Sequence, residues 1–107
     1  MREVDLNSFA AAQAGGAVVI DVREPMEYVM GHVPGAKLIP MGHLPSQLPE
    51  LPQDAPVYLI CASGNRSLVM ADFLVRAGYD AWSVAGGTGA WSASGRPVVR
   101  GPRENAA

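Results

Sequence analysis

PVYLICASGNRSLVMADFLVRAG, residues 56–78, decides the reading of the fold. PVYLIC (56–61) is a short apolar, β-branched run, the pattern of a strand buried on both faces. Past residue 66, Leu68, Val69, Phe73 and Leu74 recur at helical spacing, and Gly78 stands where a helix stops. Between them Ala62, Ser63, Gly64, Asn65 and Arg66 are small or turn-forming, so the helix is expected to start near Ser67. A buried strand passing through a tight turn straight into a helix is half of a β-α-β unit.

Working outward, the same alternation repeats. VVIDV (18–22) is a second strongly apolar strand, followed by PMEYVMGH (25–32), a short helix with proline in its first turn and Gly31 at its end. AKLIP (36–40) reads as a short strand, and LPSQLPELPQ (44–53), with three prolines, as at most a broken helix or turn. DAWSVAGG (80–87) is a further strand running into glycines, and TGAWSASG (88–95) a short closing helix. From Arg96 to Ala107 no apolar period is visible, so a single domain over 1–100 with a loosely attached end at 101–107 is expected. Strands alternating with helices imply a parallel α/β sheet with helices on both faces.

At 107 residues the chain has room for one hydrophobic core. A net charge of −2 gives no electrostatic drive toward nucleic acid or an acidic membrane surface. No apolar run approaches the roughly 20 residues of a membrane span, and MREVDLNSFAAAQAGG does not read as a secretory signal. One cysteine cannot form an internal disulfide, which fits a reducing compartment, so a cytoplasmic protein is expected.

That cysteine, Cys61, falls at the carboxyl end of a strand, where ligands bind in parallel α/β sheets. A lone cysteine there most often only packs. The S-G-N-R-S that follows changes the balance. A turn of small residues lets successive N–H groups point inward, the next helix adds its N-terminal partial charge, and Arg66 adds a full one. Together these favour a thiolate over a thiol that is only a few per cent ionised at neutral pH.

Several separate stretches in order now resemble one family, the rhodanese-homology sulfurtransferases, along nearly the whole chain. VVIDVREPMEYVMGHVPGAKLIP (18–40) is similar to the family's D-x-R-x-x-x-E-[YF]-x-x-G-H-[IV]-P-G-A signature, and VAGGTGAW (84–91) to its G-G-x-x-x-W signature. VYLICASGNRS (57–67) and LVRAGYDAW (74–82) complete the match. The resemblance implies a three-layer α/β/α fold with a five-stranded, mostly parallel sheet, its weak fifth strand near Arg2–Val4. It implies Cys61 as nucleophile, a persulfide intermediate without cofactor or metal, and the amides of Ala62, Ser63, Gly64, Asn65, Arg66 and Ser67 as the cradle for donor and leaving group. The implied donor is thiosulfate or a related molecule, and the acceptor cyanide or a thiol, with thioredoxin or a sulfur-relay protein as partner. A persulfide-carrier module is the alternative. Four residues separate Cys61 from Arg66. Related cysteine phosphatases carry five, so the shorter loop suits sulfur better than tetrahedral phosphate.

Other residues receive more modest readings. Asp21 and Arg23, at the end of the first core strand, are read as supporting groups that hold neighbouring loops. Glu27 and Tyr28 are read as helix-surface and packing residues. His32 is read as fixing its Gly/Pro turn rather than as a base, and Cys61, His32 and His43 match no zinc spacing. Gly86 and Gly87 are expected to allow close backbone approach to the active loop. Trp82 and Trp91 are read as core or rim packing, with Trp91 as a wall near the pocket. Arg66 is expected to attract anions at the pocket mouth, since an arginine in a first helical turn opposes the helix dipole.

Overall fold

A computed structural model describes residues 2–105. Five parallel strands, β1 (Glu3–Val4), β2 (Val18–Asp21), β3 (Lys37–Leu38), β4 (Val57–Ile60) and β5 (Ala81–Val84), pair in the order β1-β5-β4-β2-β3. β4, the strand of the opening stretch, is central. Its neighbour β2 is in register from Val18↔Val57 to Asp21↔Ile60, so Asp21 and the end of β4 emerge together at one edge of the sheet. The expected fold class holds.

Residues of period two along the strands divide between two apolar clusters, as a sheet covered on both faces requires. Ile20, Val57, Leu59 and Ala81 pack with Met70, Ala71 and Leu74 of α3 (Asn65–Arg76) and with Leu44 and Leu51, which bracket the 3₁₀ segment Leu44–Glu50. Val19, Ile60 and Val84 pack on the opposite side with Phe9 of α1 (Leu6–Ala14), Tyr28 of α2 (Pro25–Met30) and Trp91 of α4 (Gly87–Ala93). These are the three layers. The 3₁₀ segment is broken at Gln47, as its prolines anticipate.

Two elements differ from the sequence reading. α1 has no counterpart there: only Phe9 is buried, so its periodicity is faint. Its signals are compositional, namely Asp5 as an N-cap accepting from the Ser8 N–H at 2.8 Å and an alanine-rich body ending at Gly15. α3 starts two residues earlier than expected, at Asn65. Gly64, with φ +105°, takes a left-handed conformation that only glycine adopts freely, so the turn completes inside Ala62–Gly64.

The segment after α4 is held by backbone groups, which leave no apolar pattern to read. His32 and Val99 exchange backbone hydrogen bonds at 2.9 and 2.8 Å, and the Gly35 N–H donates to the Glu104 carbonyl at 2.9 Å. The buried His32 ring lies between the carbonyls of Tyr28 and Arg103, 2.8 and 2.7 Å from its two nitrogens, and stacks on the Tyr28 ring at 3.6 Å. It fixes the turn after α2, as its sequence context suggests, and also pins the distant C-terminal segment.

Candidate active site

Cys61 follows the last residue of β4 and continues the inward period of Val57 and Leu59, so it joins the core cluster on the α3 side and is 1% exposed. Its packing and its chemistry therefore coexist. The chain reverses over Ala62–Gly64, which brings the Gly64 N–H to 3.0 Å from Cys61 Sγ. In the first turn of α3 the Ser67 hydroxyl reaches 3.4 Å from the same sulfur. Burial by itself pushes the Cys61 thiol up. The Ser67 hydroxyl and the backbone amides of Ser67, Gly64 and Ser63 outweigh it, so the thiol lies below its ordinary value.

The loop is clamped from the side by α4. The N–H groups of Thr88 and Gly89 donate to the carbonyls of Cys61 and Ala62 at 2.8 and 3.0 Å. Contact this close requires glycine at 87: a Cβ there stands 2.5 Å from the Cys61 oxygen and 2.7 Å from the Ala62 oxygen, and φ is +59°. Gly87 thus serves backbone approach to the loop, whereas a Cβ at Gly86 would meet Ala90 of α4 at 2.6 Å. The Thr88 hydroxyl is buried without a hydrogen-bond partner among the described residues.

The loop residues split by environment. Gly64 and Ser67 are buried beside the sulfur, Ala62 and Arg66 are partly covered, and the Ser63 and Asn65 side chains face solvent. Arg66, expected to attract anions at the pocket mouth, is already paired. Both of its terminal nitrogens donate to the Glu27 carboxylate, each at 2.8 Å, a bidentate pair. Glu27 also accepts the Glu24 N–H at 3.0 Å, closing a capping box at the start of α2. The Arg66 guanidinium holds the Glu27 carboxyl well down, at about 2. Glu27, read from sequence as a helix-surface residue, is therefore tied directly to the cysteine loop.

Asp21 and Arg23 brace the neighbouring strand end. The Asp21 carboxylate is fully buried and accepts the Arg23 backbone N–H and its Nε and Nη2, at 2.8–3.1 Å. Arg23 Nη2 also donates to the Gly31 carbonyl at 2.8 Å, joining β2 to the end of α2. This geometry is architectural. Trp91 is a core residue, as read, but forms no wall beside Cys61: it packs edge-on against Phe9 on the opposite sheet face and donates to the Pro97 carbonyl at 2.7 Å. Trp82, on β5 between β1 and β4, is half-buried with the Arg2 guanidinium 3.9 Å over its ring.

Sequence reasoning also passed over Ser83 on β5. It is fully buried, and its hydroxyl lies 2.8 Å from the Ser67 hydroxyl. The available signal was a polar residue two positions after Ala81, on the inward face of a buried strand. A cavity of about 270 Å³ lined by Arg2, Leu68, Val69 and Asp72 contains no residue of the cysteine loop. Among the described residues no group of three or more His, Cys, Asp or Glu could hold a metal ion, and no helix is long and apolar enough to cross a membrane.

Fold and site together define a parallel α/β domain whose central strand delivers a cysteine into a tight loop capped by a helix. The chain belongs to the rhodanese-like domain family, whose model matches residues 5–94. A protein of Allochromatium vinosum named a sulfurtransferase is 32% identical over 102 residues, spanning 92% of this chain and 95% of that protein. The crystal structure of a rhodanese-related protein from Thermoplasma volcanium superposes with a TM-score of 0.86 at 32% identity, covering 92% of this chain and 98% of that one. A rhodanese-like domain protein from Staphylococcus aureus gives 0.79 at 33% identity, covering 85% and 91%.

Proposed function

We propose that this chain is a sulfurtransferase that carries sulfane sulfur as a persulfide on Cys61. The observation that carries the reading is the environment of Sγ: an amide donor at 3.0 Å and a hydroxyl at 3.4 Å favour the thiolate in a buried site. The thiolate's electron pair forms a new S–S bond to the outer sulfur of thiosulfate. The old S–S bond breaks and its electron pair leaves with sulfite, so one charge remains on the persulfide and two on the departing anion. A thiolate or cyanide acceptor then takes the outer sulfur and returns Cys61 to the thiolate. Membership of the family and likeness to a named sulfurtransferase support this reading. The 1% exposure of Cys61 supports a donor that presents a single terminal sulfur rather than a bulky centre.

A second reading, a persulfide carrier that takes sulfur from a partner, is favoured by the Arg66–Glu27 pair. An arginine already engaged by a carboxylate draws a dianion such as thiosulfate less strongly. Mass spectrometry after incubation with thiosulfate separates the two. The enzyme reading expects one sulfur atom added at Cys61 and catalytic thiocyanate formation from cyanide. Cys61→Ser should abolish both and leave the melting curve cooperative. Turnover retained by that variant would refute the mechanism. Loading by a low-molecular-weight persulfide but not by thiosulfate would favour the carrier.

A further inference from the structure

Behind the cysteine, three buried groups stand in line: Cys61 Sγ to Ser67 Oγ at 3.4 Å, Ser67 Oγ to Ser83 Oγ at 2.8 Å, and Ser83 Oγ to the Gly64 carbonyl at 3.5 Å. Gly64 closes the circuit, because its own N–H donates to the sulfur. We infer that Ser83 is a positioning residue for the nucleophile: its hydroxyl orients the Ser67 hydroxyl and so sets the ease with which Cys61 ionises.

Each serine hydroxyl has one proton to donate, so the line has two self-consistent directions. With Cys61 as a thiol, S–H donates to Ser67, Ser67 to Ser83, and Ser83 to the Gly64 carbonyl. With Cys61 as a thiolate, the sulfur only accepts. Ser67 must then donate to it, and Ser67 is left with lone pairs for the Ser83 proton. Ser83 turns from the carbonyl to Ser67 in this state. The Gly64 carbonyl is not orphaned by that turn, because the Leu68 N–H also donates to it at 3.2 Å.

Without Ser83 the thiolate direction loses its second donor. Ser67 still bonds the sulfur, but its own oxygen faces a buried apolar gap, and a hydrogen bond polarised by a neighbour is stronger than an isolated one. Nothing else on β5 replaces it: Ala81 shares its face, and Ser83 pairs only through backbone with β1 and β4. In the thiolate direction Ser83 has turned from the Gly64 carbonyl, so there it acts on the sulfur through Ser67.

The proposal rests on Cys61 working as a thiolate, but not on the identity of the sulfur donor. The test is the pH profile of iodoacetamide alkylation of Cys61 in the wild type, Ser83→Ala, Ser67→Ala and the double variant, with thermal melting as a check of fold. Ser83→Ala should raise the alkylation midpoint by about half a pH unit, the worth of one modest hydrogen bond. The double variant should match Ser67→Ala alone, since the effect passes through Ser67. A Ser83→Ala profile that overlays the wild type overturns the proposal, and so do shifts that add in the double variant. A wild-type midpoint at or above the free-thiol value of about 8.5 would instead sink the thiolate reading itself.

Discussion

Replacing Glu27 with Gln removes one negative charge from the mouth of the cysteine loop while keeping the side chain's shape and its capping bond to the Glu24 N–H. In the wild type the Glu27 carboxyl is held at about 2, against an ordinary 4.5, chiefly by hydrogen bonds from Arg66. Unscreened, that drop corresponds to about 3 kcal/mol. Each side chain of the pair is 36% exposed, however, and screening reduces its worth to about 1 kcal/mol. For a domain of this size that lowers the melting temperature by about 5 °C. The sign with pH follows from a depressed carboxyl: the stabilisation is full above 4.5 and fades as pH falls toward about 2. Urea unfolding should separate the variant from the wild type by about 1 kcal/mol near pH 7, and the gap should narrow to a small fraction of that near pH 2.5. The variant also frees Arg66, so kcat/KM for dianionic thiosulfate should rise several-fold, with a steeper fall in added salt. An equal stability loss at both pH values, together with an unchanged thiosulfate rate, would refute the reading of the pair.

Two further substitutions test the frame of the site. Gly87→Ala places a methyl group 2.5 Å from the Cys61 oxygen at a φ of +59°; it should cost about 2–4 kcal/mol in urea unfolding and raise the Cys61 alkylation midpoint by displacing the loop. A variant as stable as the wild type would show that α4 does not clamp the loop. Asp21→Asn leaves the Arg23 guanidinium, 6% exposed, without its ionised partner; the expected loss is about 3–5 kcal/mol. A loss below about 1 kcal/mol, read from the urea midpoint, would show that water reaches Arg23 and that the brace is not buried in solution.

The opening stretch shows how far the linear pattern reached. The apolar run of Val57–Ile60, the turn residues after Cys61 and the helical spacing of Leu68 and Leu74 are local properties. Local backbone and burial preferences were enough to place a cysteine at the end of a parallel strand. The same holds for Gly87, whose role in close approach depends on lacking a side chain. α1 was missed because it buries one residue, Phe9, and one contact leaves no period.

What only the tertiary structure decided are the partnerships between residues far apart in the chain. Arg66 reads from sequence as an anion attractor because the helix dipole opposes it; folding places Glu27 of α2 opposite and occupies it. Trp91 reads as core or rim packing with a place near the pocket; it is in the core, but α4 carries it to the sheet face opposite Cys61. Ser83 draws no notice in the sequence, and becomes a neighbour of Ser67 only when β5 pairs with β4. Periodicity reports whether a side chain faces inward; which group it meets there depends on strand order and helix placement. The sequence by itself determined the α/β class and the place of Cys61, and the fold chose the groups that set its charge.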